Sequence, residues 1–142
     1  MSEEFRHRIR VRFNECDPQG HVFNANYLAY FDHVMTELWR EAIGPYDAMV
    51  AAGTDMVVAE ATVRYRSPAG FDDELDFTAT LAHLGTTSMT THIEAHSGDR
   101  LVVEGEMRHV FIDPATKQKC AMPADIRAAL EPYAAAAEGA AA

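Results

Sequence analysis

The stretch from Asn24 to Ala42 constrains the fold more than any other part of the chain. Tyr27, Leu28, Phe31, Val34, Met35, Leu38, Trp39 and Ala42 recur at three- and four-residue steps, while Asp32, Glu37, Arg40 and Glu41 fill the opposite side. That period predicts one amphipathic helix, capped by Asn24 or Asn26 and stopped at Gly44-Pro45. About 18 residues at 1.5 Å each span roughly 27 Å, the length of a small domain. Its apolar stripe is wide and aromatic, so the rest of the chain has to wrap it.

Everything around this helix alternates with a period of two. Residues 5 to 13 set Phe5, His7, Ile9, Val11 and Phe13 against Arg6, Arg8, Arg10 and Arg12, a half-buried strand with four of the 12 basic residues on one face. After a connection over residues 45 to 54, a strand over 55 to 66 places Val57, Ala59, Ala61, Val63 and Tyr65 on one side and Glu60, Thr62, Arg64 and Arg66 on the other. Residues 73 to 83 turn Leu75, Phe77, Ala79 and Leu81 inward. Residues 87 to 96 set Met89, Ile93 and Ala95 against Thr90, His92 and Glu94, and residues 100 to 112 form the last long strand. The links are too short for parallel crossovers, which predicts an antiparallel meander. A short helix is expected near residues 123 to 131. The class is α+β, one curved antiparallel sheet wrapped around one helix. A single domain over 1 to 132 and an Ala-rich, disordered tail over 133 to 142 complete the expected layout. Edge strands and an uncovered sheet face call for a homo-oligomer.

Composition bounds the function. With 22 acidic and 12 basic residues the net charge is −10, which argues against nucleic acid and against an anionic membrane surface. No stretch approaches the roughly 20 apolar residues of a membrane-spanning helix. The start MSEEFRHRIR lacks the apolar core of a secretory signal, and Cys16 and Cys120 are too few for a disulfide scaffold, so a cytoplasmic protein is expected. The arginine stripe on the first strand reads first as an outer face balanced by acidic neighbours, and second as a phosphate-holding stripe.

The polar, turn-rich segment from Asn14 to Asn24 is the candidate site. A helix start offers unpaired backbone N–H groups and a partial positive charge, suited to polarising a carbonyl or holding an oxyanion. Gly20 lets the backbone come close to a ligand. Asp17 lies a few residues earlier. A carboxylate beside such donors is the minimum for acyl hydrolysis, as nucleophile or as general base for water. It suffices for a thioester, whose thiol leaving group has a pKa near 8.5, and is thin for an amide. Read from spacing alone, Asp17 in Asp-Pro is equally a turn residue. His92 and His96 would lie about 13 Å apart along a strand, too far to share a metal. Cys16 near His21 lacks a third orienting group for thiol catalysis, and His109, alternating with apolar residues, reads as a satisfied core histidine.

The run Val11-Arg12-Phe13-Asn14-Glu15-Cys16-Asp17-Pro18-Gln19-Gly20-His21-Val22-Phe23-Asn24-Ala25-Asn26-Tyr27-Leu28 resembles the hotdog-fold acyl-CoA thioesterases of the 4-hydroxybenzoyl-CoA thioesterase family. The later Val63-Arg64-Tyr65-Arg66-Ser67-Pro68-Ala69 and Asp72-Asp73-Glu74-Leu75 look like the same family's passage from second to third strand. The resemblance covers nearly all of residues 5 to 125. It implies the hotdog fold, hydrolysis of acyl-CoA or an acyl-carrier thioester with no metal or other cofactor, and homodimers, often paired into homotetramers, with sites at the subunit interface. Asp17 matches the family's catalytic aspartate, and the backbone N–H of Asn24 the amide that polarises the carbonyl. Gly20 and His21 match the turn that shapes the pocket, and Tyr27 looks like an acyl-pocket or helix-packing residue. One departure concerns coenzyme A. Where some members carry a basic cluster after the third strand, this chain has His83-Leu84-Gly85-Thr86-Thr87-Ser88. Phosphate contacts would then fall to Arg64, Arg66, Arg108, Lys117 or the first-strand arginines, with Ser88 a candidate contact to the pantetheine arm. The alternatives on the same fold are a hydratase or dehydratase, and a non-catalytic acyl-CoA or acyl-carrier binding module.

Overall fold

A computed structural model describes residues 3–135. The chain runs β1 (Phe5–Arg10), α1 (Asn26–Ala42), α2 (Tyr46–Ala51), β2 (Asp55–Tyr65), β3 (Glu74–Leu84), β4 (Ser88–Ser97), β5 (Arg100–Ile112) and α3 (Ala124–Leu130), with short 3₁₀ turns at Phe13–Glu15 and Glu131–Tyr133. All strand pairings are antiparallel, in the order β1-β3-β4-β5-β2. This is the expected α+β hotdog arrangement, a sheet wrapped on one long helix. Among the described residues, no helix is long and apolar enough to cross a membrane.

The helix is held by its stripe. Phe31, Val34 and Leu38 are fully buried against Leu75, Phe77, Leu81, Met89 and Ile93 of the sheet. Burying each such side chain is worth about 1.5–3 kcal/mol relative to exposure, which outweighs the weak intrinsic preference of an aromatic-rich helix. Neither Asn24 nor Asn26 caps it by side chain. Ala25 occupies the cap position, and Asn26 Nδ2 donates instead to the Glu15 carbonyl at 2.8 Å. Gly44, at φ +123°, closes the far end with its N–H on the Trp39 carbonyl.

Three local expectations change. The connection over 45 to 54 contains α2, a helix of six residues whose period is too short to read. Phe13 leaves the strand for the 3₁₀ turn and is 78% exposed. A bulge at Ala59 shifts the β2 register, so Met56 and Val58 pair with the buried Phe111 and His109, whereas Ala61 and Val63 pair with Met107 and Gly105. Val57 therefore faces outward. One extra residue reverses the alternation, which a pattern of period two cannot anticipate. The Ala-rich tail expected over 133 to 142 lies, from residue 136, outside the described residues; before it, Tyr133 is buried and the Ala135 N–H donates to the Leu81 carbonyl.

The outer face carries the charge. On β1, Arg8 bonds Asp76 at 2.7 Å and Arg10 bonds Glu74 at 2.6 Å, so acidic neighbours on β3 balance half of the stripe, while Arg6 pairs with Glu4 and Arg12 with Glu15. Further along the sheet His92 sits between Glu106 at 2.8 Å and Glu94 at 2.9 Å. Burial alone would lower the His92 pKa, but the bonds to Glu94 and Glu106 outweigh it and raise it. A raised folded-state pKa stabilises fully below the unfolded value and is lost as pH rises through the folded one. The melting-temperature gap between wild type and His92→Gln is expected to be widest between about pH 5 and pH 6 and to narrow steadily from there to about pH 9. A gap constant across that range refutes the assignment.

Candidate active site

Asp17 sits in a tight turn between the 3₁₀ turn and α1. Its N–H donates to the His21 carbonyl at 2.8 Å, and its own carbonyl accepts from Gly20 N–H at 2.8 Å. Oδ1 accepts from the Gln19 N–H at 2.9 Å. The second carboxylate oxygen has no partner among the described residues, so Asp17 is oriented yet open on one side. Gly20 closes the turn at φ +83°, a conformation that a residue with a Cβ adopts only under strain. The turn rests on the loop after β2: Val22 N–H donates to the Ala69 carbonyl at 2.8 Å, and His21 bridges to Gly70.

The same loop is fastened to the start of α1. Phe23 N–H and Asn26 Nδ2 both reach the Glu15 carbonyl, at 2.9 and 2.8 Å. The Asn24 backbone N–H donates to no other described group, whereas its carbonyl accepts from Tyr27 N–H and from the Tyr65 hydroxyl at 3.2 Å. An unengaged amide at the positive end of a 17-residue helix is what a developing oxyanion requires.

Glu15 is the residue whose role the sequence conceals. Its carboxylate accepts from the Arg12 N–H and guanidinium and from the Tyr30 hydroxyl at 2.7 Å. Burial would raise its pKa, but the Arg12 and Tyr30 bonds prevail and hold it below the ordinary value. Glu15 thus ties strand, turn and helix together. The spacing Arg12-x-x-Glu15 is its sole local signal. Arg100 is similar: its guanidinium holds Ser67 Oγ and the Pro68 carbonyl, fixing the loop that supports Asp17.

The other expected site residues divide. Gly20 and His21 shape the Asp17 turn, with His21 exposed. Tyr27 is buried between Tyr30 and Tyr65, ring centroids 5.7 and 5.8 Å away, and burial pushes its pKa to about 12. Arg64 on β2 and Arg66 just after its end are held by Glu106 and Glu104 at 2.7 and 2.8 Å. Arg108 approaches Glu60 at 3.4 Å. Ser88 pairs with Val110 at the far end of the sheet, so one protomer does not bring it to Asp17. Donor atoms of His92, Glu94 and Glu104 lie within 4.8 Å of one another on the outer face, but Arg66 already engages Glu104.

The chain as a whole has known counterparts. The family model described as the thioesterase-like superfamily matches residues 11–130. The chain is 30% identical over 123 residues to the acyl-CoA thioester hydrolase YbgC of Escherichia coli O6:H1, covering 86% of this chain and 92% of that one. It is 28% identical over 126 residues to the long-chain acyl-CoA thioesterase FadM of Escherichia coli K12, covering 87% and 95%. The crystal structure of the hypothetical protein AQ1494 from Aquifex aeolicus superposes with a TM-score of 0.84 at 27% identity, covering 89% of this chain and 99% of that chain.

Proposed function

The chain belongs to the thioesterase-like superfamily, and we propose that it hydrolyses acyl-CoA thioesters to a free acid and coenzyme A, with Asp17 as the reacting carboxylate. Two observations support this reading: an oriented Asp17 carboxylate, open on one oxygen, and an unengaged Asn24 amide seven residues on, at the start of α1. Relatives named as acyl-CoA thioester hydrolases over most of this chain's length support the substrate class.

Two routes fit the carboxylate. As nucleophile, Asp17 attacks the carbonyl carbon, the C–S bond breaks to release the coenzyme A thiolate, and water then cleaves the mixed anhydride. As general base, it takes a proton from a water that attacks the same carbon, and the thiolate leaves with the acid formed directly. Either way the carbonyl oxygen gains negative charge and faces the Asn24 N–H. The thiol leaves without an acid because its pKa is near 8.5. Neither route calls for a cofactor beyond the coenzyme A of the substrate.

Thiol release from short, long and aromatic acyl-CoAs tests the reading. Turnover of at least one is expected. Binding without release would instead make this an acyl-CoA binding module.

The protein works as a homodimer or homotetramer. β2 is an edge strand of 11 residues whose Val57 and Val58 are 44% and 49% exposed, an invitation to pair with a second copy. Val57→Lys puts a charge on that edge and is expected to shift the mass in solution toward the monomer. A variant that keeps the wild-type mass rules out this edge as the interface.

A further inference from the structure

Two histidines meet where α1 passes the edge of the sheet. His7 of β1 and His33 of α1 both line the groove between these elements. Their Nε2 atoms are 3.2 Å apart and their ring centroids 5.0 Å apart. Elsewhere in the chain the imidazoles are occupied or sealed. His92 has a carboxylate on each ring nitrogen, and His109 is 4% exposed with Nδ1 buried and unpartnered. Among the described residues, the Nε2 atoms of His7 and His33 bond only each other, and they do so at the surface.

That contact alone is one N–H donating to one bare nitrogen. A straight bond of this length would set the ring centroids about 5.5 Å apart, so the observed 5.0 Å shows the rings tilted off that line. Imidazoles that converge on a shared ion are tilted in this way. With metal–nitrogen bonds of about 2.0–2.1 Å, a tetrahedral ion holds two ligand nitrogens about 3.3 Å apart. Neither strand nor helix has to shift to supply that spacing.

A third ligand stands one helical turn on. Glu37 follows His33 by four residues, so the two share a face of α1. The bond to Arg40 does most to hold the Glu37 carboxyl below its ordinary value, and the His33 and His7 rings add to that pull, which sets the carboxylate beside the pair. Arg40 bonds only Oε2, at 2.6 Å, in an exposed ion pair that yields at little cost.

Two imidazole nitrogens with one carboxylate oxygen suit zinc and its neighbours, whereas calcium and magnesium take oxygen ligands. We propose that His7, His33 and Glu37 bind one divalent transition-metal ion of the zinc class, which staples the edge strand β1 to the central helix. The fourth position is left to water. β1 is six residues long and paired on one side only, so it is the strand that gains most from such a tie. The ion joins residues 26 apart in the chain and takes no part in the chemistry at Asp17.

Calorimetric titration of the untagged full chain, freed of metal by a chelator, with Zn²⁺ tests the site. One ion per chain is expected to bind, and the melting temperature to rise with it. His33→Gln, an exposed substitution that leaves the core intact, is expected to weaken binding by about tenfold or more and to cancel that rise. Glu37→Gln is expected to weaken binding severalfold. His92→Gln, which breaks the cluster with Glu94 and Glu104 on the outer face, is expected to leave the affinity unchanged. A chain that binds no Zn²⁺, binding that survives His33→Gln, or binding lost in His92→Gln overturns the proposal. An affinity unchanged in Glu37→Gln overturns it as well.

Discussion

Asp17→Asn is expected to fold as wild type does and to release thiol at least about a hundredfold more slowly, the lower end of what a positioned acid or base contributes. The substitution keeps the size of the side chain. Its amide oxygen still accepts the Gln19 N–H, so the turn that also ties His21 to Asp17 and Gly20 to the Asp17 carbonyl has no reason to open. What disappears is the charge, and with it the power to attack a carbonyl or to take a proton from water. The Asn24 amide stays, so residual activity from carbonyl polarisation and binding is expected to persist. Thiol release under saturating substrate, with melting temperature as control, checks both halves. A folded variant at wild-type rate removes Asp17 from the chemistry.

The largest effect on stability is expected from Gly105→Ala. Gly105 lies mid-way along β5, paired with Val63 on one side and Ile93 on the other, where the fully buried Phe31 of α1 comes down onto the sheet. A Cβ there would stand 1.9 Å from the Thr62 carbonyl oxygen and 2.9 Å from the Phe31 ring. Neither neighbour retreats cheaply. Thr62 belongs to the β2 ladder opposite Glu106, and Phe31 is enclosed by the core. Overpacking of a core costs about 1–3 kcal/mol when side chains can yield, and here backbone has to move as well. A loss of about 3 kcal/mol or more, or roughly 10 °C in melting temperature, is expected. An unchanged melting temperature would show that β2 and α1 can withdraw from β5 without loss.

The central helix and the inward faces of β3, β4 and β5 are legible because each is a run of ten or more residues with one side in water and one in the core. The candidate site was legible as a turn before a helix. What orients the Asp17 turn was not: the support from Ala69 and Gly70, some 50 residues on, and the anchoring by Glu15 appear only in three dimensions. His109 shows the gap most plainly. Alternation placed it in the core, and it is there, but whether its nitrogens find partners depends on the residues that α1 and β2 bring opposite it.

Apart from α2 and the first half of β2, the sequence by itself determined which segments are helix or strand and which side of each meets the core, because that choice is made by local period against water. Tertiary structure decided the pairing of Arg8 with Asp76 and of His92 with Glu106, the bulge at Ala59 that sets Met56 and Val58 opposite Phe111 and His109, and which amides at the start of α1 find partners. Those outcomes depend on register between strands far apart in the chain, and a shift of one residue would exchange every partner.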